Sequence, residues 1–200
     1  MTALRKTHIA LTSKTAPFAI RAERASDVVA REALLDACFG ANRHTRTCQR
    51  LRDGRAPAEG LALSAVREGR LVGSVRLWHV SAGGIPALVL GPLAVDEASR
   101  KLGLGGALME RAIEVARQRG HGAVILLGDA PYYARFGFSP ARTRELSLPG
   151  PFERDRLLAV ELRKSALEGA HGVIAPTGAL LLKPRASRAK KAPQVVPHAA

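Results

Sequence analysis

The residues best placed to do chemistry run from Leu93, Ala94 and Val95 through Asp96, Glu97, Ala98 and Ser99 to Arg100, Lys101, Leu102, Gly103, Leu104, Gly105, Gly106 and Ala107. An apolar strand there feeds a tight turn and then a helix. The first N–H groups of a helix have no acceptor within it, and glycines let the backbone bend and approach a ligand closely. Such a turn is an anion site, and a diphosphate is its natural guest. Arg100 and Lys101 add positive charge beside it. Two phosphate loops are ruled out by the residue types. A Walker loop ends in Gly-Lys-Ser/Thr, whereas Gly105 is followed by Gly106 and Ala107. A dinucleotide fingerprint requires glycine three places after Gly105, where Leu108 stands. The plain alternative is a glycine-rich connector that holds no ligand.

The surrounding pattern describes the frame for this turn. Phe18, Ala19, Ile20 and Arg21 form a short extended run, and the apolar spacing of Val28, Val29, Leu34, Leu35 and Cys38 predicts a helix that Gly40 stops. A second, shorter helix is expected over residues 43–51, before a loop over 53–60. From residue 61 the period changes to two, with a hairpin turning at Glu68 and Gly69. A third strand over residues 86–95 is almost wholly apolar and therefore central. Gly91-Pro92 interrupts it, marking a bulge or a point where strands part. A helix reaching about Gln118 presents Leu108, Ala112 and Val115, with Gly120 as its stop. A buried strand over 123–127, a short helix over 131–136 closed by Gly137, a strand starting at Phe138 and a last strand over 157–162 complete the order.

The chain at this point closely resembles the GNAT superfamily of acetyl-coenzyme A-dependent N-acetyltransferases. Arg100, Lys101, Leu102, Gly103, Leu104 and Gly105 meet the family's pyrophosphate motif, Arg or Gln, two residues, Gly, one residue, Gly or Ala, at every fixed position. Leu93, Ala94 and Val95 look like the end of its bulged fourth strand, and Tyr133, Ala134, Arg135, Phe136, Gly137 and Phe138 look like its tyrosine-bearing motif. The resemblance covers residues 16–165. It implies an α/β fold with a central, splayed, mostly antiparallel mixed sheet flanked by helices, and acetyl-coenzyme A wedged where the fourth and fifth strands separate. It also implies that the main chain of Leu93, Ala94 and Val95 pairs with the pantetheine amides, and that the Val95 N–H polarises the thioester carbonyl. Backbone N–H groups of Lys101, Leu102, Gly103, Leu104, Gly105 and Gly106 would hold the pyrophosphate, with Ala107 close behind. Tyr133 would protonate the departing thiolate, which suits a phenol that is neutral at pH 7.

Other readings of single residues stay open. Tyr133 sits beside Tyr132 in a cluster with Phe136 and Phe138, where a core role with a satisfied hydroxyl is equally ordinary chemistry. Asp129 reads first as the N-cap of the short helix and second as a base. His79 reads as a packed histidine and Glu97 as a solvated one, so no carboxylate identifies itself as the base. The acceptor half of the cleft is expected from the segment near residues 43–60, from the loop between the third and fourth strands and from the region after Ser139, and the sequence does not name the amine.

Two hundred residues suffice for one domain with a real core. The expected organisation is an extension over 1–15, the acetyltransferase domain over 16–165, a C-terminal extension over 166–185 packing on or near it, and a basic disordered tail over 186–200. No apolar run is long enough to cross a bilayer, so a cytoplasmic protein, monomer or homodimer, is expected, although the acid-free start before Glu23 also fits an organelle transit peptide. Cys38 and Cys48 are too few for a disulfide framework and wrongly spaced for zinc, so no metal is expected. The formal charge of +14 invites a polyanion reading. It concentrates in Lys183, Arg185, Arg188, Lys190 and Lys191 and in Arg43, Arg46, Arg50, Arg52 and Arg55, without the interleaved aromatics of nucleic-acid binders. The leading function is transfer of an acetyl group from acetyl-coenzyme A to a small-molecule or peptide amine. The alternatives are a nucleic-acid or polyanion-binding protein and an acyl-coenzyme A-binding regulatory domain without turnover.

Overall fold

Residues 18–181 are described by the computed structural model; the 1–15 extension and the 186–200 tail lie outside the described residues. The strands are β1 (Ala19–Ala22), β2 (Ala62–Arg67), β3 (Arg70–Ala82), β4 (Ile85–Val95), β5 (Ala123–Leu127), β6 (Leu146–Ser147), β7 (Leu157–Glu161) and β8 (Gly172–Pro176). The helices are α1 (Val28–Phe39), α2 (Leu104–Gln118) and α3 (Ala130–Ala134). One mixed sheet runs β1-β2-β3-β4-β5-β7. Its neighbours are antiparallel except β4 and β5, which pair in parallel.

The β2–β3 hairpin turns on Glu68 (φ 52°) and Gly69 (φ 76°), the two left-handed residues that a tight hairpin with native twist demands. Across β3 and β4 the register slips by one residue at Gly91-Pro92, since Val75 faces Leu93 while Leu77 faces Leu90. A one-residue slip exchanges the faces of a strand. Leu88 and Leu90 before the bulge, and Leu93 and Val95 after it, therefore all pack on the same side, with Leu104, Leu108, Met109 and Ala112 of α2. The opposite face joins Trp78, Val80, Val89 and Ile125 to Leu157 and Ile174, and α1 adds Leu34 and Leu35 against Ala94. Gly73 lets α2 approach the sheet, because a methyl group there would come within 2.5 Å of Leu104 Cδ2.

Two expectations are corrected and one strand is added. The segment over 43–51 forms two short 3-10 turns, Ala41–Thr45 and Thr47–Leu51, parted at the extended residue Arg46. No strand starts at Phe138. Ser139 makes a single bridge to Ala159, and then its hydroxyl accepts the Ala141 N–H at 3.1 Å to start a 3-10 turn at Pro140. Proline carries no N–H with which to extend the ladder. β8 went unpredicted; it pairs with β3 at residues 80–82, where β2 has already ended.

A chain of ion pairs holds the N-terminal segment to the sheet. Asp27 accepts Arg21 Nη1 at 2.6 Å and Nη2 at 2.9 Å, the Arg24 N–H at 2.8 Å and the Ser64 hydroxyl at 3.2 Å. Hydrogen bonding to Arg21, against an opposing burial effect and aided by the Arg24 N–H, holds its carboxyl well below the usual range. A carboxyl depressed in the folded state stabilises fully above its unfolded pKa, ~3.9, and loses that contribution as pH falls toward the folded value. Asp27→Asn is expected to lower stability by about 1–3 kcal/mol at neutral pH. In urea titrations the gap to wild type should narrow near pH ~3; a gap that stays constant would contradict the ionic account.

Candidate active site

β4 and β5 pair only at Leu88–Val124 and Val89–Ile125. Beyond these pairs the strands part and leave a cavity of about 850 Å³, lined by Leu90, Gly91, Pro92 and Leu93 from β4, by Leu126 and Leu127 from β5, and by Tyr133. The bulge at Gly91-Pro92 thus stands at the mouth of the separation.

The edge of β4 facing this gap is set by the alternation of an antiparallel ladder. The Asp96 N–H donates to Val72 O at 2.9 Å, which turns Asp96 and Ala94 toward β3. Ala94 is therefore a correction to the expected set of three. Its N–H and C=O are committed to Ser74, and its side chain is buried under α1. Leu93 and Val95 direct their main-chain groups away from β3, and the Val95 carbonyl accepts the Cys38 thiol at 3.4 Å. The Val95 N–H makes no backbone hydrogen bond among the described residues outside the strand ladders.

The glycine turn follows directly. After a 3-10 turn at Glu97–Ser99, Arg100, Lys101, Leu102 and Gly103 are exposed, with left-handed backbone at Lys101 (φ 70°) and Gly103 (φ 75°). Gly103 is the N-cap of α2, Leu104 is buried beneath it, and Gly105, Gly106 and Ala107 are half-buried at its first turn. Ala107 N–H donates to Gly103 O at 3.0 Å; no backbone acceptor among the described residues takes the N–H groups of residues 101–106. Six N–H groups are thus left without a backbone acceptor around one helix start.

The two tyrosines separate. Tyr133 lies edge-on to Tyr132 (4.9 Å between centroids) and to Phe138 (6.0 Å), and it lines the cavity. Tyr132 turns toward α2, with its hydroxyl 3.1 Å from where a Gly105 methyl would stand and Arg135 stacked 4.0 Å from its ring. Burial first, then Tyr132 and Asp129, push the Tyr133 phenol up to about 12, so it is fully protonated at neutral pH. Asp129 occupies the N-cap position of α3 but its side chain makes no cap hydrogen bond, and it is exposed. The His79 ring lies tilted 5.4 Å from that of His121, beyond the end of α2 and outside the cavity, while Glu97 is exposed.

Sequence reasoning missed two residues. Gly128 ends β5 without a side chain, and the Tyr133 ring occupies that space; a methyl group on Gly128 would overlap Tyr133 Cε2. Arg52 turns into the cavity, donating to Gly91 O at 2.7 Å and Gln49 Oε1 at 2.7 Å. A glycine between an apolar strand and a tyrosine-bearing helix was a visible signal for the first. The second lies in the 43–60 segment expected to form the acceptor half, but nothing local singles it out from the neighbouring arginines, because its partner lies across the fold. Among the described residues no cluster of His, Cys, Asp and Glu could hold a metal ion, and no helix is long and apolar enough to cross a membrane.

A parted pair of parallel strands, an unpaired strand edge and a donor-rich helix start define an acyltransferase of the GNAT type. Residues 29–138 match the family described as Acetyltransferase (GNAT) family, and the chain belongs to it. The N-acetyltransferase YhbS of Escherichia coli (strain K12) is 30% identical over 157 residues, covering 78% of this chain and 93% of YhbS. The crystal structure of Escherichia coli YhbS in complex with CoA matches with a TM-score of 0.71 at 29% identity, over 83% of this chain and 93% of that one. A GNAT family acetyltransferase from Brucella melitensis in complex with acetyl-CoA matches with a TM-score of 0.54 at 26% identity, over 72% and 95% of the two chains.

Proposed function

We propose that the protein moves the acetyl group of acetyl-coenzyme A to a primary amine by direct attack of the amine on the thioester. The carrying observation is that β4 beyond its two pairs with β5 lines one cavity with the Tyr133 ring, and that the same strand leads directly into the N–H groups left without a backbone acceptor at the start of α2. The CoA and acetyl-CoA bound by the two similar crystal structures support the same use of this cleft.

In this reading the N–H groups of residues 101–106 hold the pyrophosphate, with Arg100 and Lys101 adding charge and Ala107 closing the first turn. Leu93 and Val95 hold the pantetheine arm as a neighbouring strand would, with Val95 offering its N–H because its carbonyl already accepts Cys38. That N–H polarises the thioester carbonyl as negative charge grows on its oxygen. The amine nitrogen bonds to the carbonyl carbon, the carbon–sulfur bond breaks, and Tyr133 gives its proton to the leaving sulfur. The attacking nitrogen then sheds its own extra proton to solvent and the phenolate recovers one, so no net charge remains on the protein. A phenol held protonated by its apolar surroundings is suited to this donation.

Calorimetry with acetyl-coenzyme A tests the cofactor half. A side chain on Gly105 would stand 3.1 Å from the Tyr132 hydroxyl and 3.6 Å from Val95 Cγ2, in the space the diphosphate needs. Gly105→Val is expected to weaken binding by about tenfold or more, equivalent to at least ~1.4 kcal/mol. Unchanged affinity would move the cofactor elsewhere.

A further inference from the structure

The acceptor side of the cleft has an unusual charge balance. Six arginines, Arg43, Arg46, Arg52, Arg55, Arg76 and Arg156, line it against three carboxylates, Glu32, Asp53 and Glu153. All three carboxylates are already engaged: Glu32 by Arg31 and Arg43, Glu153 by Arg156, and Asp53 by the Gln49 amide. Arg76 is held by Glu23, and Arg43 also by Asp36.

Arg46, Arg52 and Arg55 form no salt bridge among the described residues. Arg46 is exposed, stacks 5.3 Å from the Phe39 ring and donates to its carbonyl. Arg55 donates to Gly178 O. Arg52 is half-buried. Its guanidinium lies 5.5 Å from the Trp78 ring, its Nη1 and Nε are taken by neutral oxygens, and its Nη2 has no partner among the described residues. Burial lowers it from the usual guanidinium value, against the opposing influence of Cys48 and Asp53, neither of which forms a hydrogen bond or salt bridge with it among the described residues. A half-buried arginine fixed by neutral acceptors, with free donors toward a cavity, is built to receive an oxyanion.

Resting on the acetyl-transfer reading above, we infer that the acceptor amine carries an oxyanion, a carboxylate or a phosphate, which Arg52 binds with Arg46 and Arg55 supplying further positive charge. The same field disfavours the ammonium form of the incoming amine and so favours the neutral nucleophile that transfer requires. A cationic acceptor such as a polyamine is disfavoured for the same reason.

The test measures coenzyme A release by the full-length protein with matched amines: γ-aminobutyrate against its carboxamide, and O-phosphoethanolamine against ethanolamine. The second member of each pair removes only the anion, and comparing the two pairs separates carboxylate from phosphate. At least one anionic member should exceed its neutral partner in kcat/KM by about tenfold to a hundredfold. Arg52→Gln should abolish that preference, and Arg52→Lys should retain part of it. Arg46→Gln, at an exposed position, should reduce it even if the Arg52 variants fold poorly, and coenzyme A calorimetry reports the fold of each. Neutral amines acetylated as well as anionic ones, with the ratio unmoved in these variants, would overturn the inference and leave acetyl transfer standing. Anionic amines that bind the coenzyme A-loaded protein through Arg52 without being acetylated would support the site and overturn acetyl transfer. Neither binding nor acetylation of any member, anionic or neutral, would overturn both.

Discussion

Replacing Tyr133 by phenylalanine is expected to lower kcat by about a hundredfold to ten-thousandfold, roughly 3 to 5 kcal/mol of barrier, while acetyl-coenzyme A affinity stays near wild type. The substitution keeps the ring and its packing against Tyr132 and Phe138 and removes only the proton donor. Tyr132→Phe is the necessary control. Its hydroxyl lies by the Gly105 turn, so its loss should register in cofactor affinity more than in turnover. The double variant should turn over no faster than Tyr133→Phe alone. Wild-type turnover in all three would remove the acid role and leave only the cofactor site.

Gly128→Ala is expected to do comparable damage from outside the reacting atoms. The added methyl group would overlap the Tyr133 ring, which must then swing from its place at the end of β5. A displacement of about 1 Å at a reacting group can lower the rate about a hundredfold. Gly128 is a positioning residue, and its effect should pass through Tyr133. In a double-mutant cycle, Gly128→Ala should therefore add little to a Tyr133→Phe background. Full additivity in kcat would show that Gly128 acts on the fold at large. Thermal unfolding should register the overpacking separately, as about 1–3 kcal/mol of lost stability.

What was legible in the sequence was local. The glycine turn, the start of α2 and the tyrosine-bearing segment are each contiguous, and their geometry follows from residue type and spacing within one strand–turn–helix unit. Gly91-Pro92 was readable because neither residue suits a regular ladder, and the register slip falls there. What escaped depends on contacts between distant segments. Ala94 was placed with Leu93 and Val95, yet the alternation fixed by Val72 and Asp96 turns its main chain to β3. Asp129 has the chain position of a cap, but whether a side chain reaches the helix N–H groups is a matter of rotamer and surroundings. The arginines over 43–55 were readable only as a concentration of charge in the segment expected to form the acceptor half, because their partners, Glu32, Asp36, Gly91, Pro149 and Gly178, lie elsewhere in the chain. β8 follows a polar, glycine-containing segment and owes its strand conformation to the end of β3, which no local pattern encodes.

These long-range contacts also explain why the acceptor half was harder to read than the cofactor half. In the proposed reading the cofactor is met largely by main-chain groups, whose directions follow from secondary structure. In that reading the acceptor is met by side chains from two 3-10 turns held down at a distance: Thr47 Oγ1 donates to Pro151 O at 2.5 Å and Arg50 Nη1 to Pro149 O at 2.5 Å. α1 is tied to the same region, since Arg43 bonds to Glu32 and Asp36.

The central claim, acetyl transfer from acetyl-coenzyme A to an amine in the β4–β5 cleft, is tested most directly by following acetylated product by mass spectrometry. The full-length protein would be supplied with acetyl-coenzyme A and a panel of amines, with Tyr133→Phe run in parallel. An acetylated amine formed in proportion to coenzyme A released, and strongly reduced in Tyr133→Phe, is the predicted result. Saturable binding of acetyl-coenzyme A with no acetylated product from any amine would contradict it.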